Sequence, residues 1–336
     1  MRYIGNKVTL LDFIDLNILE PDKYDNFIDC FAGTGCVGEH FKNKYTIISC
    51  DLLNSSYIQF YCKVSLNKIP TFDNLGGIEK VIDTLNRLNG IESFIFNEYG
   101  ENGKSNRLYF SEKNSKKIDS IIVYIEDTYN SKKINYDEYI YLKYLLIEAC
   151  SKVSNITGVY GSYLKKLYSN SINPICIKPI DINHSDKEHS SLLGDTYDHI
   201  QEKTDKKTII YLDPPYNSRQ YGSNYHLLNT ISLGKIPIIK KVKGADSVTG
   251  LPENLPLSNW CSKIKVYNEL EKYLKLDYGQ LMLSYNNEGI MTKTEIIELF
   301  NTYGTTKVVE KQYKKFKSNK NNNDNYVIEY LFISTK

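Results

Sequence analysis

Asp213, Pro214, Pro215 and Tyr216 close an apolar run, Thr208–Ile209–Ile210–Tyr211–Leu212. An unbroken apolar run bounded by turn formers reads as a buried parallel strand. The two prolines have fixed φ and no N–H, so they stiffen the turn and leave its carbonyls free to accept. A carboxylate, a free carbonyl and an aromatic ring at one strand end make a ledge for a planar amino group. Asp213 accepts one amino hydrogen, the Pro214 carbonyl accepts the other, and Tyr216 covers the ring. Such a ledge suits chemistry on the exocyclic amine of a base. The same residues would also serve as a plain strand stop, because proline ends a ladder.

A second motif lies upstream, in Asn26–Phe27–Ile28–Asp29–Cys30–Phe31–Ala32–Gly33–Thr34–Gly35–Cys36–Val37–Gly38. A short apolar strand runs into a glycine turn and then into a helix from Val37 to about Lys42. Gly33 and Gly35 permit positive φ and a close approach of ligand to backbone. The turn reads as the first βα connection of a nucleotide-binding α/β sheet. Asp51 follows Gly35 by sixteen residues and ends the strand Tyr45–Thr46–Ile47–Ile48–Ser49–Cys50. An acid there is placed to bind a ribose diol. This fits a ribose-bearing cofactor without separating a nicotinamide from a methyl donor.

The two motifs together separate them. Phe31–Ala32–Gly33–Thr34–Gly35 with a later Asp-Pro-Pro-Tyr resembles the amino-methyltransferases that act on exocyclic nitrogens of DNA bases. Arg2–Tyr3–Ile4–Gly5–Asn6–Lys7 is similar to that family's extra cofactor motif. Its place ahead of the glycine turn, with Asp-Pro-Pro-Tyr last, resembles the α group, which includes the Dam-like N6-adenine methyltransferases. The continuation Asn217–Ser218–Arg219–Gln220–Tyr221–Gly222–Ser223–Asn224–Tyr225–His226 resembles the adenine-specific branch more narrowly. The resemblance spans most of the chain and is weakest over 66–133 and 234–262.

The resemblance implies an α/β fold: a Rossmann-like class I methyltransferase sheet, mostly parallel with an antiparallel C-terminal hairpin, plus an inserted target-recognition region. Residues 1–65 and 134–336 would form the catalytic domain, 66–133 the insert, and 234–262 a second DNA-facing loop. The implied cofactor is S-adenosylmethionine, with contacts from Tyr3, Lys7, Asp29, Phe31, Gly33, Gly35, Asp51 and Asp195. Lys7 would meet its carboxylate. Asp195, in Ser191–Leu192–Leu193–Gly194–Asp195–Thr196–Tyr197, resembles the acid of the third cofactor motif, and it suits a helix N-cap equally. Asp213, Pro214 and Tyr216 would be catalytic. The implied partner is double-stranded DNA, with contacts from Arg107, Lys165, Lys166, Arg219, Tyr221 and Asn224. The implied setting is a restriction-modification or an epigenetic-marking system, the former with a cognate restriction endonuclease as a further expected partner, and a monomer is the expected state.

Composition sets wider bounds. At 336 residues the chain allows one large domain or two ordinary ones, and its formal net charge is +2. Near neutrality leaves any nucleic-acid face to local clusters of Lys and Arg. Seven scattered cysteines form no CxxC pair and no zinc-ligand spacing, which points to a reducing cytoplasm. No apolar run is long enough to span a membrane and no signal peptide opens the chain.

The remaining segments must position these motifs. A helix is expected from Lys7 to Leu16. The polar stretch 67–133 interleaves Phe94, Phe96, Tyr99, Arg107, Tyr109 and Phe110 with lysines and glycines. That mixture suits nucleic-acid contact; a solvated insert with a small local core reads equally well. Leu142, Leu145, Leu146, Ala149 and Val153 recur at helical spacing within 137–153. Lys165 and Lys166 suit phosphate contact or a plain helix surface. The excursion 234–262 carries Lys240, Lys241 and Lys243 and ends near Trp260. Residues 280–286 read as a further buried strand. Residues 308–314 and 326–333 read as a terminal hairpin joined by the Lys/Asn run 314–325.

Other acceptors remain open on these residues alone: adenine in RNA, cytosine N4 or a protein amide. So does a non-catalytic DNA-specificity subunit of the same shape. A nicotinamide dehydrogenase leaves Asp-Pro-Pro-Tyr without an explanation.

Overall fold

The computed structural model describes residues 4–314 and 326–336. Nine strands form among them, in chain order: β1 (Asn26–Asp29), β2 (Thr46–Asp51), β3 (Ser190–Leu193), β4 (Thr208–Leu212), β5 (Lys241–Val242), β6 (Ala245–Asp246), β7 (Gln280–Asn286), β8 (Thr305–Lys314) and β9 (Tyr326–Thr335). The chain divides into two compact units. A sheet unit comprises Gly5–Ser65, Ser185–Tyr221 and Leu257–Lys336. A helical unit comprises Ile4, Leu66–His184 and Gly222–Pro256.

The sheet unit holds seven strands in the order β3-β2-β1-β4-β7-β9-β8. The first five are parallel; β9 runs antiparallel between β7 and β8. This is the Rossmann-like methyltransferase arrangement that the motifs implied. Side chains alternate across it with the period of two that a pleated strand imposes. Phe27, Ile209, Tyr211, Met282 and Leu331 face a core shared with Phe41 and Phe60. Ile28, Ile210, Leu212, Leu283 and Phe332 face the opposite core, with Leu270 and Phe300.

The register places the functional ends together. Asn26 aligns with both Thr46 and Thr208, so β1, β2 and β4 finish at one edge. The strand order reverses between β1 and β4, the position where open α/β sheets leave a ligand crevice. The hairpin adds a residue to that edge: Glu329 on β9 aligns with Asn286 at the end of β7.

Gly35 is required on two counts. Its φ is +74°, and a Cβ there would lie 2.6 Å from Cβ of Phe60. The helix Cys36–Phe41 follows at once. In the N-terminal segment a 3-10 turn Val8–Leu10 and the helix Leu11–Asp15 replace the single helix expected from Lys7 to Leu16.

The helical unit corrects the reading of the middle of the chain. Helices form at Ile78–Arg87, Phe94–Tyr99, Glu112–Asn130, Tyr136–Val153 and His226–Leu233. Asn135 and Glu138 make a capping box at the start of Tyr136–Val153, which satisfies two orphan amides reciprocally. Asp119 accepts from the amides of Ser93, Ile95 and Phe96 at 3.2, 2.9 and 2.8 Å, holding the start of Phe94–Tyr99. Phe96, Tyr99, Tyr109 and Phe110 are buried. The aromatic and glycine-rich stretch is therefore a packed core and not a set of open loops.

The expected insert boundary at 133 falls between two helices of this one unit. Further ties run past it: Asn86 bonds both backbone groups of Ile177, and Tyr141 bonds the Ile180 carbonyl. The excursion 234–262 is split, with β5 and β6 in the helical unit and Trp260 buried in the sheet unit. Lys165 and Lys166 are exposed on a bend, not on a helix. Residues 315–325 of the Lys/Asn run lie outside the described residues.

Gly35→Ala is expected to lose stability on the order of 1–3 kcal/mol, the usual cost of overpacking, read as a lower urea midpoint at unchanged slope. A midpoint equal to that of the wild type would contradict this account of the turn.

Candidate active site

The end of β4 delivers Asp213 and Tyr216 to the crevice edge. The Tyr216 hydroxyl lies 2.8 Å from Oδ1 of Asp213 and 2.8 Å from Oε1 of Glu329. Lys7 Nζ lies 2.8 Å from the same Asp213 oxygen, 3.4 Å from Glu329 Oε1, and 5.1 Å from the centre of the Tyr216 ring. The Lys7 and Glu329 side chains are 6% and 7% exposed. Burial pulls the Lys7 pKa down, but the two carboxylates outweigh it and the net direction is up. The lysine is therefore charged at neutral pH. Burial raises the Glu329 pKa, and Lys7 partly offsets the rise. Tyr285 packs against Tyr216 with ring centres 4.9 Å apart, and the Ile290 amide bonds the Tyr216 carbonyl at 2.9 Å. These contacts fix the ring and the backbone behind the prolines.

A second group of acids lines the glycine turn. Asp51 binds the turn itself: Oδ2 accepts from the Gly33 amide at 3.0 Å and Oδ1 from the Leu53 amide at 2.9 Å. Burial nevertheless pushes its pKa up to about 6. Asp29, at the end of β1, is fully buried, and neither of its carboxylate oxygens has a partner at hydrogen-bond geometry among the described residues. Burial first, then the charge of Asp213, pushes its pKa up to about 8; the nearby amides of Gly38 and Phe31 ease the charge only in part. Asp195 caps the short helix Thr196–Ile200 by accepting from the Tyr197 amide at 3.0 Å. The N-cap reading thus describes its geometry in this structure. Phe31 meets Trp260 edge-on, ring centres 5.3 Å apart, and Trp260 also packs against Tyr273.

Arg219 is exposed just past the ledge. Behind it Gln220 is clamped to Ser258 by two hydrogen bonds, at 3.0 and 2.8 Å. Tyr221 reaches Gly5, where an added Cβ would stand 3.3 Å from its hydroxyl. Asn224 belongs to the helical unit, where its carbonyl accepts from the Tyr160 amide at 2.7 Å. Tyr3 lies outside the described residues.

Arg107 departs from its expected role. It is 4% exposed. Its guanidinium pairs with Glu98 at 2.6 Å and bonds the carbonyls of Ser247 and Val248 at 3.0 and 3.2 Å. A guanidinium spent on these partners ties the helical unit together and is not presented to a phosphate. Glu329 was not singled out from sequence, and Trp260 was named only as the end of the excursion 234–262. The signal for Glu329 was a lone acid in the apolar strand Tyr326–Val327–Ile328–Glu329–Tyr330–Leu331–Phe332–Ile333.

Asp29 makes a pH prediction. Between its ordinary 3.8 and about 8 the folded chain holds a proton that the unfolded chain has released. By linkage, its contribution to stability falls as pH rises through that window. Asp29→Asn is expected to flatten this slope, so that the ligand-free variant matches or exceeds the wild type in melting temperature at roughly pH 8.5. A variant that melts lower there would show that Asp29 stabilises the fold as an anion.

The sequence model for D12 class N6 adenine-specific DNA methyltransferases matches residues 3–299. The chain is 35% identical to the type II methyltransferase M.NlaIII of Neisseria lactamica, over 100% of this chain and 99% of that protein. It is 35% identical to the type II methyltransferase M.CviAII of Paramecium bursaria Chlorella virus 1, over 98% of this chain and 97% of that protein. It is 34% identical to the type II methyltransferase M.FokI of Planomicrobium okeanokoites, where the chain spans only 53% of the relative's length. With Asp213–Tyr216 and an acid-lined glycine turn at one sheet edge, and with these matches along its length, the chain belongs to the D12 class of N6 adenine-specific DNA methyltransferases.

Proposed function

We propose that this chain uses S-adenosylmethionine to methylate N6 of an adenine flipped out of duplex DNA, as the modification partner of a restriction endonuclease. The observation that carries the reading is the Asp213–Tyr216 ledge, set beside the buried acids of the glycine turn. The restriction partner is suggested by relatives that are named type II methyltransferases.

The residues present fit the proposed cofactor. Asp29 is a buried carboxylate without a hydrogen-bond partner among the described residues, and such a group calls for a cationic or donor-bearing ligand. Asp51 keeps lone pairs beyond its two amide bonds and suits a ribose diol. Asp195 and Phe31 flank the same edge, and Lys7 supplies a cation for a carboxylate. The cofactor contributes an electrophilic methyl carbon; the rest of the work falls to the chain.

That work is orientation. The N6 lone pair of adenine is delocalised into the ring, and attack requires it to turn toward the methyl carbon. Asp213 and the Pro214 carbonyl accept the two amino hydrogens and favour the pyramidal nitrogen. As positive charge builds on N6, the Asp213 carboxylate stabilises it. Proton loss follows methyl transfer. A duplex hides the amine, so the base must leave the stack at a cost of a few kcal/mol. Stacking on Tyr216 returns about 1–3 kcal/mol.

Arg219, Tyr221, Asn224, Lys165 and Lys166 are the proposed DNA contacts. The helical unit is the proposed target-recognition region, and a monomer the proposed working state. Arg107 supports that region from its interior.

Labelled methyl transfer to unmethylated duplex DNA, followed by nucleoside analysis, tests the substrate. N6-methyladenine is the expected product; N4-methylcytosine, or label in RNA alone, would overturn the assignment. Arg219→Ala is expected to raise KM for DNA roughly tenfold, the cost of about 1.4 kcal/mol of lost binding, while cofactor affinity holds. Unchanged DNA kinetics would remove Arg219 from the interface.

A further inference from the structure

Glu329 enters the site from β9, far from the other site residues in sequence. A buried carboxylate is costly unless it is paired and hydrogen-bonded. This one touches the two partners that Asp213 also touches, the Tyr216 hydroxyl and the Lys7 ammonium. Among the described residues both contacts to Asp213 fall on Oδ1, which leaves Oδ2 for a substrate amine. Tyrosine offers one proton and lysine three, so the two carboxylates divide a fixed set of donors.

We infer that Glu329 is a positioning residue for methyl transfer: it holds the Tyr216 hydroxyl and shares the Lys7 ammonium, and so leaves Asp213 less tightly paired and available as an acceptor for the adenine amine. The inference rests on the methyltransferase reading proposed above. Without Glu329 the lysine's charge falls on Asp213 alone. The acceptor is then partly neutralised when positive charge develops on N6. Tyr216 also loses one of two anchors and its ring is free to turn. Both effects act on the transition state more than on binding of either substrate.

The same logic fixes the kinetic signature. Removing an interaction made only in the transition state lowers kcat and leaves KM in place. Glu329→Gln keeps an oxygen for the tyrosine hydroxyl and removes the charge; Glu329→Ala removes both.

The test measures kcat and KM for duplex DNA, the Kd for S-adenosylmethionine and the melting temperature of wild type and both variants. The glutamine variant is expected to lose roughly tenfold or more in kcat, with KM and Kd within about twofold of wild type. The alanine variant is expected to lose more. If alanine fails to fold, the near-isosteric glutamine variant decides. A glutamine variant with wild-type kcat overturns the inference. So does a loss explained wholly by weaker DNA or cofactor binding. An inactive wild type would overturn the methyltransferase reading itself, whereas an active wild type with an indifferent Glu329 overturns only the role given to this residue.

Discussion

One buried ammonium facing two carboxylates organises the site. Lys7 stands 2.8 Å from Asp213 and 3.4 Å from Glu329, and Tyr216 donates into the same cluster. The three charges come from the N-terminal segment, the end of β4 and the middle of β9. Taking such charges out of water costs several kcal/mol each, and they persist only when paired and well bonded. The cluster therefore requires the N-terminal segment to dock against the sheet, and the hairpin to place β9 between β7 and β8. With the lysine absent, two carboxylates would share one buried corner, and one of them would take up a proton.

The sheet makes the cluster possible. Parallel β1, β2 and β4 run in register from Asn26, Thr46 and Thr208, so the acids at or just past their ends, Asp29, Asp51 and Asp213, meet at one sheet edge, the last two each two residues beyond the pairing of Asp29. Their convergence is felt in the ligand-free chain: after burial, the charges of Asp213 and Asp51 both push the pKa of Asp29 up. Gly35 lets the turn between them pass close to Phe60, which seats the helix Cys36–Phe41 behind the site.

What was legible in the sequence was local. β4 and its Asp-Pro-Pro-Tyr end are contiguous, and so are β1, the glycine turn and Gly35; composition and period mark them directly. Lys7 needed the family resemblance, because nothing in residues 2–7 alone says that they meet residue 213. Glu329 was missed because its place depends on strand order, and no local pattern reveals that β9 inserts beside β7. Arg107 misled for a related reason. Basic and aromatic residues mixed with glycine describe a nucleic-acid loop and a tyrosine-rich helical core equally well. Glu98 and the carbonyls of residues 247 and 248 decide between them, and the latter two lie about 140 residues away. The ties that carry the helical unit past residue 133, to Ile177 and Ile180, are tertiary and leave no local pattern either.

The Asp213 carboxylate is proposed to act on the amine and not on the fold or the cofactor. Single-turnover methyl transfer by Asp213→Asn, beside cofactor binding measured by calorimetry, tests it most directly. A rate lower by about 10²–10³ is expected, the usual loss when one preorganised electrostatic partner is removed, with cofactor affinity retained. A variant that transfers methyl at the wild-type rate, or one that fails only because it no longer binds the cofactor, would contradict it.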